Sequence, residues 1–379
     1  MATLTDILQH LLNNALVQRT VENRCLDRSD LRDRADRLHE FGVPEQVTFD
    51  LPECTSDPPQ VIRDFAGTVD TPRRFVCELS DVRLIGPEAI TVTADGKYVL
   101  ENALCSIKQL TNSLIHPTLT TRTRRLGFRD NSSHEYAISL VGPWADGFYH
   151  WFSDYLPRLI DLRDWEVETG YRPTVIYPPN SPGWLVDSLR LVGYDGDRLQ
   201  EWDGGTATVD HLVVPSLPRH PWGDPATQTL YTPQTRRWVR ERVRENVNHR
   251  RKDTPRFVFV SRTDASERRI QNSTALLKAL DEFGFESVVL SNRSLREQIS
   301  LFTNAECVVA PHGAGLTNIL WGTDLDVIEL FGSYVNVSYF RLAKVLGHRY
   351  SAIQGKPIGD DIRIDPEEVR RTVECLQDK

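Results

Sequence analysis

The sequence predicts an α/β protein of two domains, with a parallel, Rossmann-like sheet in the C-terminal domain. Three observations predict this fold. The chain has 379 residues, of which 40% are hydrophobic, so it is long enough for two domains with separate cores. Beyond residue 255, apolar runs alternate with segments of helical periodicity, the pattern of strands joined by right-handed crossover helices. Ahead of this region, PSLPRHPWGDPATQTLYTP at 215–233 is rich in proline and glycine, which is typical of a linker and places a domain boundary near residue 230.

The sequence of the first 70 residues predicts a segment of helix and irregular structure. Arginine and aspartate are closely mixed in RCLDRSDLRDRADRLHEFG, residues 24–42, which is typical of a solvated helix and loops. Residues 4–16 carry an apolar stripe at helical spacing, opened by a capping-box pattern from Thr3 to Asp6. This stripe predicts a helix that packs on the protein or on a partner, and a helix lying on a membrane surface is the alternative.

Residues 71–230 predict a first α/β domain. Short β-like runs begin near Phe75 and continue through EYAISLVG. The elements expected after them are a helix from about His150, a strand at 173–179, a helix at 184–194 and a strand at 209–216. Strand and helix therefore alternate in this half as well.

Residues 231–379 predict a second domain in which the alternation is clearest. A basic segment at 236–252 is expected to be a solvated helix with Trp238, Val239 and Val243 packed inward, and contact with an anionic lipid or polymer is the alternative. The strands expected after it lie at 256–260, 286–290, 306–310 and 326–331. The expected helices lie at about 274–283, at 294–305 with a Ser294 to Glu297 capping box, after Gly315, and near 337–346. Apolar strands joined by such helices indicate a parallel sheet.

Composition excludes some classes of function. The formal net charge is −8 and the pI is near 5.7, which argues against general nucleic-acid binding. The six cysteines are scattered without CxxC pairs, so no zinc site is expected and reduced thiols are the default. The sequence has no run of about 18 apolar residues and no signal-peptide pattern. We expect a cytoplasmic protein, with peripheral contact at the inner face of the membrane left open. The oligomeric state cannot be predicted.

A glycine-containing loop follows the third strand of the second domain. In APHGAGLTN, residues 310–318, Gly313 and Gly315 let the backbone turn tightly and approach a ligand. Thr317 and Asn318 can hydrogen-bond in the helical turn that follows. Ligands of parallel sheets bind at the carboxyl ends of the strands, where helix N-termini attract negative charge. The loop therefore predicts a phosphate site, and a purely structural turn is the alternative.

Arginines follow the first strand of the same domain. The segment SRTDASERRIQN, residues 261–272, supplies Arg262, Arg268, Arg269 and Asn272. Guanidinium groups pair with phosphate oxygens in bidentate fashion. Because both loops follow strands of one parallel sheet, we expect them to converge on a diphosphate. Glu329, near the end of the next strand, is expected to accept from ribose hydroxyls, or otherwise to cap or pair locally.

A third polar group lies in the first domain. In GFYHWFSDYLPRL, residues 147–159, His150 and Asp154 are four residues apart and share one face of a helix. A carboxylate beside an imidazole gives a group that can take a proton near neutral pH. The alternatives are a core hydrogen bond for His150 and a helix-terminal charge for Asp154.

Taken in order, these three stretches resemble glycosyltransferase family 61 over roughly residues 135 to 335. The motifs that carry the resemblance are FYHWFSDYLPRL, FVSRTDASERRIQN, and VVAPHGAGLTNILW followed by VIELF. The resemblance implies a GT-B-like fold, with two Rossmann-like domains facing a cleft. The acceptor-side domain would be residues 71–230 and the nucleotide-sugar-binding domain residues 231–379. It also implies transfer of the sugar with inversion.

The resemblance implies a role for each motif. In the first motif, Asp154 would be the base that activates the acceptor, with His150 as its rival or orienting partner. The donor-binding positions would be Arg262, Arg268, Arg269, Asn272, His312, Gly313, Ala314, Gly315, Thr317, Asn318 and Glu329. The expected donor is a nucleoside-diphosphate sugar, taken as a UDP-sugar, and the expected acceptor is a glycan, a polysaccharide or a lipid-linked sugar. No metal and no cofactor are expected, because arginines and loop amides would stabilise the diphosphate.

Two rival functions stay open. Gly313–Ala314–Gly315 after a strand, with Glu329 downstream, is similar to the turn of nicotinamide-dependent oxidoreductases. Asn318 at the third small position, and the arginines of the neighbouring loop, oppose that interpretation. The second rival is a module that binds nucleotide sugars without turning them over.

Overall fold

The computed structural model describes residues 15–54, 57–71, 73–103, 107–114, 132–217, 232–247 and 254–378. The chain divides into two compact units. Unit 1 comprises Met1–Val43 and Arg73–Leu230, and unit 2 comprises Pro44–Pro72 and Tyr231–Lys379. The segment 44–72, which the sequence pattern grouped with the rest of the first 70 residues, therefore belongs with the C-terminal part of the chain.

The strands are numbered in chain order: β1 Cys25–Leu26, β2 Arg37–Phe41, β3 Gln46–Phe49, β4 Gly67–Asp70, β5 Arg74–Ile85, β6 Ile90–Val92, β7 Tyr98–Val99, β8 Ser132–Ser139, β9 Thr174–Tyr177, β10 Leu199–Glu201, β11 Thr206–Pro215, β12 Phe257–Ser261, β13 Phe285–Val289, β14 Cys307–Pro311, β15 Asp326–Phe331, β16 Arg349–Gln354, β17 Lys356–Ile358 and β18 Asp361–Arg363.

The α-helices are α1 Ala15–Glu22, α2 Arg28–Arg34, α3 Gln60–Phe65, α4 Leu100–Ala103, α5 Phe148–His150, α6 Leu159–Thr169, α7 Gly183–Leu191, α8 Pro233–Glu245, α9 Ser273–Leu280, α10 Leu295–Asn304, α11 Ser338–Leu346 and α12 Pro366–Gln377. Between α5 and α6 the chain forms a π-helical turn, Trp151–Tyr155, and a 3₁₀ turn, Leu156–Arg158. A longer 3₁₀ helix, Ala314–Trp321, follows β14.

Unit 1 is built on a mixed sheet that has nine strands among the described residues. Its order is β1-β7-β6-β5-β11-β8-β9-β10, and β2 pairs with β5. Strands β11, β8, β9 and β10 form a parallel half, whereas β5 is antiparallel to β11. The crossover from β8 to β9 contains the segment from α5 to α6, so His150 follows the carboxyl end of a parallel strand.

Unit 2 contains a five-stranded sheet of order β13-β12-β14-β15-β16, and every neighbouring pair is parallel. The parallel sheet predicted for the C-terminal domain is thereby confirmed. Strands β14 and β15 are buried along their whole length, as expected for strands covered on both faces. The first strand of the unit, β12, is not at the edge of the sheet. The chain continues from β12 to its neighbour on one side, β13, and then crosses to its neighbour on the other side, β14. This reversal is a topological switch point, where doubly wound sheets bind their ligands.

The segment 44–72 packs on unit 2 by several contacts. Glu45 accepts a hydrogen bond from the backbone N–H of Gln234 at 3.0 Å, and the rings of Phe49 and Phe340 lie 6.1 Å apart. A disulfide joins Cys54 to Cys375 in α12, with a Cα–Cα distance of 5.8 Å. The expectation of reduced thiols is therefore wrong for this pair. Because the two residues are 321 positions apart, no local spacing indicates their pairing.

The basic helix α8 confirms the expected inward packing, since Trp238, Val239 and Val243 are all buried. The apolar stripe of residues 4–16 and most of the predicted linker, 218–231, lie outside the described residues. Within the part of the chain that is described, no helix is both long enough and apolar enough to span a bilayer.

Candidate functional site

A helix of irregular pitch carries the candidate acid–base pair of unit 1. Pro157 has no N–H, and its ring excludes a regular bond to the carbonyl four residues earlier. The N–H of Leu156 bonds to the carbonyl of Trp151, five residues back, which gives the wider π-helical turn. Such turns recur at functional sites because they change the direction in which side chains project.

His150 covers the carboxylate of Asp154. Nδ1 of His150 lies 2.8 Å from Oδ2 of Asp154. The Asp154 side chain is 0% exposed, whereas that of His150 is 30% exposed. The imidazole is therefore the member of the pair that solvent reaches, and Nε2 is the nitrogen that its contact with Asp154 leaves for another partner. The carboxylate can hold the tautomer and stabilise the imidazolium after a proton is taken up.

The loops after β12 and β14 meet at the switch point of unit 2. These strands are parallel neighbours, with Phe259 opposite Val309, so Arg262 and Gly313 leave the same edge of the sheet. A Cβ atom on Gly313 would lie 2.0 Å from Nη1 of Arg262. The guanidinium therefore occupies the space that any larger residue at position 313 would fill. This close approach explains the glycine, since the backbone of Gly313 is extended and does not itself require one.

Arg262 is held in an environment that favours an anion. Burial lowers its pKa from the ordinary value, and the nearby cation of Arg268 lowers it further. Its Nε donates to the backbone carbonyl of Glu267 at 3.3 Å. A partly desolvated guanidinium beside a second cation is stabilised by a negatively charged ligand. Ala314, the first residue of the 3₁₀ helix after Gly313, is exposed and places a helix N-terminus at the same edge.

The two other arginines of this loop are anchored to the β17–β18 hairpin. Arg268 has a φ of 58° and donates its backbone N–H to the carbonyl of Asp360 at 2.7 Å. Arg269 pairs with Asp361, with Nη2 2.8 Å from Oδ2. Hydrogen bonds from Arg269 lower the pKa of Asp361 to about 2. The Arg269 side chain remains 47% exposed, so the anchored loop still presents charge to solvent.

A chain of hydrogen bonds beneath the glycine-containing loop is buried at Glu329, Tyr350 and His312 and reaches the surface at Tyr334. Nδ1 of His312 lies 2.5 Å from Oε1 of Glu329, and the hydroxyl of Tyr350 donates to Oε2 of the same carboxylate at 2.5 Å. Nε2 of His312 lies 3.0 Å from Nδ2 of Asn336, which also donates to the hydroxyl of Tyr334 at 3.0 Å. Glu329 is 0% exposed. Its carboxylate therefore orients His312 and is not at a surface where it could reach a ribose.

The remaining predicted positions support the two loops through packing and hydrogen bonds within the protein. Gly315 allows close packing, because a Cβ there would lie 3.0 Å from Leu290. Thr317 is buried, and Asn318 bonds to Gln298, to the carbonyl of Gly315 and to the indole of Trp321. Asn272 exchanges two hydrogen bonds with the backbone of Ile364. The exposed or half-buried donor-site candidates are thus Arg262, Arg268, Arg269, Asn272, Ala314 and Gly315.

The structure adds residues that the sequence pattern did not single out. Tyr334 and Asn336 follow the carboxyl end of β15. Because ligands of parallel sheets bind at the carboxyl ends of the strands, their position in the sequence indicates a site. Tyr350 lies within β16 and carries no such signal. In unit 1, Trp144 stacks on His150. No group of three or more metal-ligating side chains occurs in the described ranges.

Residues 148–326 match the family model described as Glycosyltransferase 61. The matched span includes the His150–Asp154 pair, the arginine loop and the glycine-containing loop, and it ends before Glu329. A search among curated proteins gave no match to this chain.

Proposed function

We propose that the chain transfers a sugar, with inversion, from a nucleoside-diphosphate sugar to an acceptor hydroxyl, because residues 148–326 match the model of glycosyltransferase family 61. The acceptor would be a glycan, a polysaccharide or a lipid-linked sugar, and the donor a UDP-sugar. The observation that carries the proposal is the close approach of Arg262 to Gly313 at the switch point of the parallel sheet. We propose that unit 1 supplies the acceptor-side groups and unit 2 the donor-side groups of a GT-B-like enzyme.

On the donor side, negative charge develops on the diphosphate as its bond to the anomeric carbon breaks. The Arg262 guanidinium and the helix N-terminus at Ala314 are positioned before the reaction, so they can stabilise this charge without reorganisation. Arg268 and Arg269 add positive charge at the same loop. In the proposal these groups act without a metal ion. His312, Asn318 and Asn272 keep the loops in place through the contacts described above.

On the acceptor side, we infer from the burial of the pair which member takes the proton. Asp154 is fully buried under His150, so we assign the base to His150 and the orienting role to Asp154, reversing the first preference drawn from the sequence. The acceptor hydroxyl gives its proton to Nε2 of His150, and its oxygen attacks the anomeric carbon. The nucleoside diphosphate leaves from the opposite face with the electron pair of the broken bond, which inverts the configuration.

The test is a panel of nucleoside-diphosphate sugars incubated with purified protein, with release of nucleoside diphosphate measured with and without simple glycoside acceptors. We expect release from at least one donor, and acceptors should accelerate it. Arg262→Ala should weaken donor binding about 10- to 100-fold. Arg256→Ala is the matched control, because that exposed arginine pairs with Glu306 at the surface of the same unit.

Two outcomes would contradict the proposal. Protection of the protein against unfolding by NADH, with no protection by any nucleoside diphosphate, would favour the oxidoreductase. Tight donor binding without turnover across the whole panel would favour the binding module.

A further inference from the structure

Trp144 occupies a backbone conformation that its side chain does not favour. It lies in the turn between β8 and α5 with a φ of 59°, in the left-handed region that bulky residues rarely adopt. Its side chain does not fill a hydrophobic core, since Trp144 is 48% exposed. A strained conformation combined with an exposed large aromatic ring indicates selection for a surface role and not for packing.

The turn that carries Trp144 is anchored on both sides. The hydroxyl of Tyr155, in the π-helical turn, donates to the carbonyl of Pro143 at 2.8 Å. On the other side, the N–H of Gly147 donates to the carbonyl of Trp144 at 2.8 Å. A Cβ on Gly147 would lie 3.1 Å from that carbonyl. The surrounding structure therefore determines the position of Trp144 and maintains its strain.

The indole of Trp144 lies beside the proposed base. Its ring stacks on that of His150 with centroids 5.3 Å apart and an angle of 27° between the planes. One indole face is thus used by the imidazole, and half of the side chain remains in solvent. The exposed apolar surface is therefore directly adjacent to the group that would take the acceptor proton.

We propose that Trp144 is the platform on which a pyranose ring of the acceptor stacks. One face of a pyranose consists of C–H groups, which pack on an aromatic face by burying apolar surface and by attraction to its negative quadrupole. The hydroxyls project from the edge of the sugar ring, where they can meet His150. This inference rests on the proposed function and makes it more specific, because it selects a sugar ring over a peptide or lipid hydroxyl as the acceptor.

The test compares Trp144→Gly and Trp144→Phe with wild type, using methyl β-glycosides as acceptors so that no aromatic aglycone contributes to binding. Glycine accepts a positive φ, so Trp144→Gly should unfold at the same temperature as wild type or higher. It should raise the KM for the acceptor about tenfold and leave the KM for the donor unchanged. The acceptor KM of Trp144→Phe should lie between those of wild type and Trp144→Gly. Val167→Ala, at an 82% exposed position of α6, is the control for loss of exposed apolar surface.

A second readout does not need turnover. Titration with the same glycosides should change the tryptophan fluorescence of wild type and of Val167→Ala, and should leave Trp144→Phe unchanged. Equal acceptor KM values in wild type and Trp144→Gly would overturn the platform while leaving the transferase proposal intact. A large fall in the unfolding temperature of Trp144→Gly without a change in acceptor KM would show a structural role instead. If wild type turns over no donor, the proposed function fails, and the fluorescence titration still decides whether Trp144 binds a sugar.

Discussion

Nδ1 of His312 and Oε1 of Glu329 lie 2.5 Å apart in the interior of unit 2, directly below the loop that carries Gly313. An ionised carboxylate only accepts hydrogen bonds, so this contact places the proton of the imidazole on Nδ1. Burial and the adjacent Glu329 raise the pKa of Tyr350 well above its ordinary value, so its hydroxyl stays protonated and donates to the same carboxylate. Glu329, for which the sequence left a ribose contact and local pairing open, thus pairs locally with His312 and Tyr350.

Glu329→Gln should weaken donor binding and stability together. The two carboxylate oxygens of Glu329 accept from His312 and Tyr350. In glutamine one of these oxygens is replaced by an NH₂ group, so one partner would face a second donor and a buried polar group would be left unsatisfied. We expect a loss of about 1–3 kcal/mol in the free energy of unfolding and a clear fall in affinity for the nucleoside diphosphate. Tyr350→Phe is the control, because it removes one hydroxyl and leaves His312 oriented. Denaturant unfolding and calorimetric titration measure both effects, and wild-type affinity in Glu329→Gln would contradict the positioning role.

Gly313→Ala should act through Arg262. The new Cβ would lie 2.0 Å from Nη1, so the guanidinium must move, and it can do so because it is the end of a flexible side chain. We expect a folded protein whose affinity for the nucleoside diphosphate falls about 10- to 100-fold, as for Arg262→Ala. The double variant should be no weaker than Arg262→Ala alone, since both changes remove one interaction. Gly183→Ala, where a Cβ meets nothing within 4 Å, should bind as wild type does.

His150→Ala should lower the rate of transfer about 10²- to 10⁴-fold while donor binding persists. Asp154→Asn should cause a comparable loss, because an amide at that position no longer selects the tautomer with Nε2 free to take the proton. Initial rates and separate donor titrations distinguish the two effects. Asp187→Asn, at a 49% exposed carboxylate of the same unit, is the control. Full activity in His150→Ala, with none in Asp154→Asn, would return the role of base to the aspartate.

His348 should make stability depend on pH in the mildly acidic range. Burial lowers the pKa of His348 from 6.5 to about 4, and the cation of Arg240 adds to this shift, whereas the hydrogen bond from Nε2 to the carbonyl of Ile319 opposes it. The folded state thus binds this proton more weakly than the unfolded state. The stabilisation is complete above about pH 6.5 and is lost as the pH falls towards 4, by an amount on the order of 2–3 kcal/mol. His348→Gln should flatten the curve of unfolding free energy in this range, and an unchanged curve would contradict the assignment.

The Cys54–Cys375 disulfide should stabilise unit 2. Because it closes a very long loop, removing it by Cys54→Ser or by reductant should cost about 2–5 kcal/mol. Cys25→Ser removes one of the free thiols among the described residues and serves as the control. Thermal unfolding with and without reductant measures the effect, and peptide mapping under non-reducing conditions identifies the bond. Disulfides are uncommon in a reducing cytosol, so the cytoplasmic location expected from the sequence remains a prediction that this mapping in cells would address.

Local patterns in the sequence determined most of the elements that build unit 2. The helix α10 begins after Ser294 with the expected capping box, because a cap depends only on residues three positions apart. Strands β12, β14 and β15 lie within one residue of the positions that their apolar runs predicted. The sequence also identified Arg262 and Gly313, since residues that directly follow strands of a parallel sheet share an edge.

Only the tertiary structure decided what depends on residues far apart in the chain. The attachment of segment 44–72 to unit 2, the pairing of Cys54 with Cys375 and the contact of Glu329 with Tyr350 have no local pattern. Burial is likewise a property of the packed molecule, and it separates His150 from Asp154 although they belong to one motif. Periodicity and turn formation depend on residues that are close in sequence, whereas exposure and long-range contacts arise when the strands and helices pack together.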